Sequence, residues 1–228
     1  SVASRGLGDV YKRQSTNRSL SLFPLNVVLF PGSLLPITVF EERYKLMLQD
    51  CLNSGSKFGV VLIKSGSEVG EPAVPHLVGT VCKIIAIEYK DDGVINITVK
   101  GEERFSLIQT YQTKPYLNAE VETLDYLEFQ DENPEYISMI QCKFLQYIRL
   151  MIGVEGGWIQ NINLTSDKID LACMIASTIQ IKLSKKQSLL EHSNIGDLLA
   201  DELSILDTEN ERLREKVALT LLSRFSVQ

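Results

Sequence analysis

Two histidines, His76 and His192, are the only side chains in this 228-residue chain whose ordinary chemistry suits a general base at neutral pH. Hydrolysis or group transfer needs such a base beside a nucleophile. His76 instead follows Pro75 in a loop-like stretch and His192 follows a short helical one, neither with an evident partner. Both read as surface or hydrogen-bonded structural residues. The four cysteines, Cys51, Cys82, Cys142 and Cys173, stand about thirty to sixty residues apart with no C-x-x-C pair. That usage fits buried thiols in a reduced compartment, not a zinc site or a disulfide framework. No glycine is followed by lysine, so a Gly-x-x-x-x-Gly-Lys phosphate loop is excluded. Gly66 to Gly70 is a lone glycine-bearing loop without the flanks a phosphate cradle needs.

The acidic pairs Asp91/Asp92 and Glu102/Glu103 could be imagined as paired carboxylates. Adjacent positions in a strand point to opposite faces, and the first pair falls in a turn, so solvation and turn formation explain both better. Lys185-Lys186 is too small a basic patch to dock nucleic acid. Trp158, beside a glycine pair, reads first as a capping aromatic and second as an anchor for a partner. The sequence therefore offers no catalytic, metal-binding or cofactor-binding residues, and what remains is a binding or interaction protein.

Charge supports that exclusion. Twenty-three basic residues face 29 acidic ones, a net −6, and such a surface repels a phosphate backbone. Nucleic acid is disfavoured as a partner. The first fourteen residues, SVASRGLGDVYKRQ, show neither an apolar signal core nor strand or helix periodicity, and residues 1–18 are set aside as a non-native or disordered leader. Without residues 1–14 the chain loses Arg5, Lys12, Arg13 and Asp9, leaving 20 basic and 28 acidic residues and a net −8. Sequons at Asn17, Asn96 and Asn163 lack an export signal and carry no weight. No apolar run approaches the ~20 residues of a membrane span, so the expectation is no membrane and a cytoplasmic location.

The elements that must carry any site fall into two kinds. From Ser19 to Phe40 short apolar runs alternate with Pro24, Pro31 and Pro36, which suits short strands bent at the prolines, with a turn at Pro31-Gly32. Tyr44, Met47, Leu48, Cys51 and Leu52 then recur at helical spacing within residues 41–53. Strands are expected at 57–64, 77–90, 94–100, 104–111 and 116–124, with Asp92-Gly93 closing a hairpin. From residue 131 the period is helical. A stripe runs from Ile137 to Met151, a helix spans about 167–181, and Ser184 to Gln187 fits a capping box. Asn194 caps a last helix in which Leu199, Leu203, Leu206, Asn210, Leu213, Val217 and Thr220 form a heptad seam. That seam suits packing within a bundle or, alternatively, a homodimer through the C-terminal helix.

One stretch, FPLNVVLFPGSLLPITVFEERYKLML at residues 23–48, closely resembles the opening motif of the Lon protease N-terminal, or substrate-binding, domain family. Val78-Gly79-Thr80-Val81, Ile84, Ile87, Asp92-Gly93 and Lys100-Gly101-Glu102-Glu103-Arg104-Phe105 resemble the family's next segments in order and spacing. Pro115-Tyr116-Leu117 with Ala119-Glu120-Val121, and Lys186-Gln187 to Leu190, are similar to later ones. The resemblance covers about residues 20–222.

The resemblance implies an α+β fold: a PUA-like β pseudo-barrel at 19–130 with one inserted helix, then a C-terminal α-helical bundle at 131–228. It implies a stand-alone, bacterial-type, non-enzymatic module that binds unfolded or degron-bearing polypeptides, or acts as an adaptor in proteolysis, with a Lon-type protease as a further partner. An RNA-binding PUA-like module and a hydrolase using Glu102, Glu103 or Asp125 stand as alternatives. A peptide site is expected on exposed apolar surface around Phe30, Leu34, Leu35 and Phe40, with Arg104 as a pocket donor or a buried pair partner. Pro31, Gly32, Glu42, Arg43, Tyr44, Gly79, Gly93 and Gly101 are motif positions with a structural role, the Glu42-Arg43-Tyr44 trio locking the first helix to the barrel.

Overall fold

The computed structural model of the chain describes residues 17–68, 70, 73–127, 134–155, 157 and 162–225. Trp158, the Gly156 position and residues 1–16 lie outside the described residues. The elements run β1 (Arg18–Leu25), β2 (Leu34–Val39), α1 (Glu42–Asn53), β3 (Lys57–Ser65), β4 (Val74–Pro75), β5 (Val78–Tyr89), β6 (Ile95–Tyr111), β7 (Asn118–Thr123), α2 (Pro134–Val154), α3 (Lys168–Thr178), α4 (Leu183–Glu191) and α5 (Ile195–Phe225). This is an α+β fold, with the strands first and the helical elements last. The first strand begins at Arg18, one residue inside the segment set aside on sequence.

The sheet closes on itself. Its order is β1-β7-β6-β5-β3, and β1 returns to β3 as a parallel pair, Leu22 opposite Gly59 and Leu25 opposite Leu62. Closure removes the free edges of those five strands. β2 lies outside the ring, paired only with the first half of β6, from Leu34 opposite Lys100 to Val39 opposite Ile95. The two strands expected at 94–100 and 104–111 are one continuous β6. The reason is an irregularity in its pairing with β5, between Val81/Cys82 and their partners Glu103/Gly101, which lets one strand bend from the β2 neighbour to the β7 neighbour without ending.

Three apolar clusters hold the molecule. One lies between α1 and the ring (Phe23, Tyr44, Met47, Phe58, Val99), one fills the ring (Leu22, Val81, Phe105, Val121), and the largest joins the helices to the strands (Phe30, Leu62, Ile140, Phe144, Leu198, Leu206). Two helix starts differ in kind. Asn194 accepts from the Gly196 and Asp197 amides at 2.7 and 3.3 Å, the expected cap. Helix α4 instead begins at Leu183, so Ser184 is no cap, and Gln187 reaches across to the Val78 carbonyl at 3.0 Å. The gain from tying the helices to the strands outweighs a local capping box. The heptad seam of α5 faces α2, where the Asn210 amide donates to the Lys143 carbonyl at 3.0 Å.

Candidate functional site

The far end of the β5/β6 hairpin is where the strands leave the body of the protein. Its turn is set locally. The Lys90 amide donates to the Val94 carbonyl at 2.9 Å, Asp92 accepts from the Val94 amide at 3.1 Å, and Gly93 takes φ +76°. A second irregularity, between Ile84 and Ala86, shifts the pleat, so that Ile87 and Tyr89 pair with Ile97 and Ile95 on the α1 face while Ala86 and Glu88 turn to the outer face; Ile85, Ile87 and Tyr89 are all exposed. On one side of this hairpin α1 buries Tyr44, Met47, Leu48 and Cys51 against the ring. Its other stripe, with Lys45, Leu46, Gln49 and Leu52, faces Tyr89 and Ile95 across a groove of about 430 Å³. On the other side a groove of about 470 Å³ runs along β2, β6 and β5, with Pro36, Thr38, Ala86, Glu88, Asn96 and Thr98 in its lining.

The sequence-expected peptide residues divide here. Leu34 and Phe40 are 60 and 53% exposed at the two ends of β2, and Leu35 is half-buried between them. Phe30 is a correction: it is wholly buried in the cluster that joins helices to strands, because the Pro31-Gly32 turn directs the preceding residues inward. Arg104 is buried as well, and resolves as an internal tie in place of a pocket donor. Its Nη1 donates to the Leu190 and His192 carbonyls at 2.8 and 2.5 Å, closing the C-terminal end of α4, and its guanidinium carbon lies 3.4 Å from the Tyr126 ring centroid. Burial lowers the guanidinium pKa, with Tyr126, Cys173 and Asp125 acting against it.

Most motif positions have a packing reason. A Cβ on Gly101 would strike the Phe30 carbonyl, so only glycine lets β6 pass beneath the Pro31-Gly32 turn, which is itself held by Gly32 N–H to Gly101 O at 2.9 Å. Gly79 is equally tight against Val61 and Phe105. Tyr44 stacks on Phe23 with centroids 4.0 Å apart, and Arg43 pairs with Glu41 at 3.0 Å while donating to the Glu68 carbonyl at 3.2 Å. Glu42 does not lock the helix to the strands: it is exposed and pairs with Lys45 one turn along the same helix at 2.8 Å.

A third concavity, about 560 Å³, is polar and lies where β1, α1 and the β6/β7 connection meet. Asp50 there accepts from Lys114 at 2.7 Å and from the Tyr116 hydroxyl at 2.6 Å. Those bonds hold the Asp50 carboxyl below its ordinary range and Lys114 above its own. The pair is internally satisfied and presents no open base. Burial pushes the Cys51 and Cys173 thiols up to about 11 and raises Cys82 too, the opposite of an activated nucleophile. Glu102 and Glu103 are each held by a different cation, Lys57 and Arg18, both at 2.6 Å. Among the described residues no group of three His, Cys, Asp or Glu side chains could hold a metal ion, and no helix is long and apolar enough to cross a membrane.

Sequence reasoning missed Leu46, Leu52, Ile85 and Tyr89. A signal existed: the run Ile84-Ile85-Ala86-Ile87 continues almost to the Asp91-Asp92-Gly93 turn without the polar alternation of a half-buried strand.

Comparison with known proteins then bears on the whole chain. The family described as ATP-dependent protease La (LON) substrate-binding domain matches residues 19–208. Lon protease of Escherichia coli K12 is 26% identical over 205 residues, covering 88% of this chain and 26% of that protein. Lon protease of Flavobacterium johnsoniae is 24% identical over 218 residues, 92% of this chain and 26% of its own length. The chain thus spans about a quarter of the curated relatives it matches. A crystal structure of a Lon N-terminal domain protein from Xanthomonas campestris superposes with a TM-score of 0.61 at 26% identity, covering 82% of this chain and 98% of that one. The N-terminal domain of Mycobacterium avium complex Lon protease, 16% identical, gives the same TM-score of 0.61 and shares the fold.

Proposed function

Because this chain belongs to the Lon substrate-binding domain family, we propose that it is a non-enzymatic module that captures exposed apolar segments of unfolded or degron-bearing polypeptides at the far end of the β5/β6 hairpin. One observation carries the reading. Leu46, Leu52 and Tyr89 are exposed along the groove between α1 and the hairpin, Phe40 just after β2 and Ile85 of β5 are exposed on the neighbouring strands, and Tyr89 is 66% exposed. Large apolar side chains gathered at one end of a protein suit a partner that itself offers apolar side chains. The internally paired carboxylates and raised thiol pKa values support a binding role over a hydrolytic one.

The adaptor role follows from this reading: a polypeptide held here would be presented to a Lon-type protease. Pairing of two copies along α5 has weaker support, since Asn210 of the seam already bonds to α2 within one chain. The RNA-binding alternative, which rests on a PUA-like reading of the barrel, has only the fold behind it and a net −6 against it.

The test is fluorescence anisotropy of labelled α-lactalbumin, permanently unfolded by reduction and carboxamidomethylation, titrated with the full chain, and of native α-lactalbumin as control. Saturable binding of the unfolded form that weakens at least fivefold in Phe40→Ser/Tyr89→Ser supports the reading. Equal affinity for both forms, or no binding, overturns it.

A further inference from the structure

We propose that the outer face of β2, β6 and β5 selects polypeptide segments in which a carboxylate and an apolar side chain are two residues apart; this rests on the polypeptide-binding reading above and names the class of segment preferred. The motivating feature is a row across the strands. Lys83 of β5 lies directly opposite Lys100 of β6, and Lys100 lies directly opposite Leu34 of β2. Like charges placed directly opposite on neighbouring strands repel and destabilise the pairing. Neighbours could offset that cost, and Lys57, next in the same row, is indeed held by Glu102 at 2.6 Å. Lys83 and Lys100 are exposed and have no ion-pair partner among the described residues. Two cations without an ion pair therefore stand side by side on a protein of net −6, with Asp170 the acidic residue across the concavity that Lys100 also lines.

The apolar half of the recognition adjoins them. Leu34 and Ile85 are 60 and 52% exposed beside the lysines, and the 470 Å³ groove begins one same-face step further along, at Thr98 and Ala86. A same-face step on a strand is about 7 Å. An extended segment lying along β6 repeats that spacing, so a carboxylate over Lys83 and Lys100 places the side chain two residues away over the groove. Approach is to the face and not to the free edge of β2, because Pro36 at the middle of that strand lacks the N–H that an added strand would need.

The experiment uses the full chain and three labelled, otherwise identical peptides of Ser, Gly and Thr bearing Glu-x-Leu, Gln-x-Leu or Lys-x-Leu, measured by anisotropy at 50 mM and 500 mM salt. The expected result is a five- to tenfold preference for Glu-x-Leu over Gln-x-Leu at low salt, shrinking at high salt. In Lys83→Gln/Lys100→Gln the preference should vanish, Glu-x-Leu and Gln-x-Leu then binding within twofold of each other. Both lysines are exposed, and a thermal midpoint no lower than the parent's verifies the fold. Equal affinity for the three peptides, or a preference that survives in the double variant, overturns this inference while unfolded α-lactalbumin still binds. Failure of every peptide and of unfolded α-lactalbumin overturns the binding reading itself and this inference with it. The net negative charge opposes a Glu preference, so overall charge cannot imitate the expected result.

Discussion

The β5/β6 hairpin has two ends built from similar residues and placed in different company. At the near end, Val78 to Cys82 and Gly101 to Phe105 are covered by the ring and by α4. Gln187 bonds the Val78 carbonyl, Arg104 ties the end of α4, and Thr80 donates to the Leu29 carbonyl at 2.5 Å. At the far end, Ile85, Ile87 and Tyr89 have no such cover. The contrast shows that apolar composition alone does not make a core. A strand end becomes core when another element lies over it, and otherwise it is a surface on which a partner can do so.

Changes at the near end should cost stability and changes at the far end should cost binding. The largest effect is expected from Phe30→Ala. Removing a fully buried aromatic from the cluster between helices and strands should cost about 3–5 kcal/mol. At ~2–4 °C per kcal/mol, a midpoint at least 6 °C lower by calorimetry is the expected reading. A drop under 2 °C would mean that Phe30 is not core and would restore it to the binding surface.

Arg104→Met comes next. It keeps an unbranched apolar stem and removes the guanidinium with its two bonds to the Leu190 and His192 carbonyls, worth about 1.5–3 kcal/mol for a charged donor. Urea unfolding should report that loss, and amide exchange should show α4 opening before the ring. Uniform exchange across both would break the picture of Arg104 as the tie between them.

Glu202 sharpens the comparison from the helical side. It is completely buried in α5, burial raises its pKa well above the ordinary 4.5, and the nearby Ala176 backbone offsets only part of this. Neither carboxylate oxygen forms a bond of normal geometry. The folded state therefore keeps the proton where the unfolded chain has lost it. Its contribution is fully present below pH 4.5 and is lost as pH rises towards the raised folded value. Glu202→Gln removes this dependence, so a gain of roughly 1–3 kcal/mol is expected at pH 8 and none near pH 4. A thermal pH series in which variant and parent run parallel would contradict the assignment.

The smallest effect on stability belongs to the far end. Phe40→Ser with Tyr89→Ser should move stability by no more than about 0.5 kcal/mol while weakening capture of unfolded chains at least fivefold. A thermal melt beside the anisotropy titration separates the two. A large fall in stability with intact binding would reverse the roles of the two ends.

Much of this was legible in the residues. The helical spacing of Tyr44, Met47, Leu48 and Cys51 gave α1, Asp92-Gly93 gave the hairpin turn, and Asn194 gave the cap of α5, because each is a local preference that the fold does not oppose. Ser184 and Phe30 show the limit. A capping box at Ser184 was outweighed by Gln187 crossing to β5, and an apolar residue before a Pro-Gly turn looks the same whether a helix covers it or not.

Composition, period and turn chemistry act within a few residues, so the sequence by itself determined that strands precede helices, that no phosphate loop exists, and where the main turns and caps fall. Burial, pairing partners and charge neighbours are decided between residues far apart in the chain. Only the tertiary structure could therefore bury Arg104 against α4, join residues 95–111 into one bent strand, leave Tyr89 uncovered, and set Lys83 beside Lys100 on an otherwise acidic molecule.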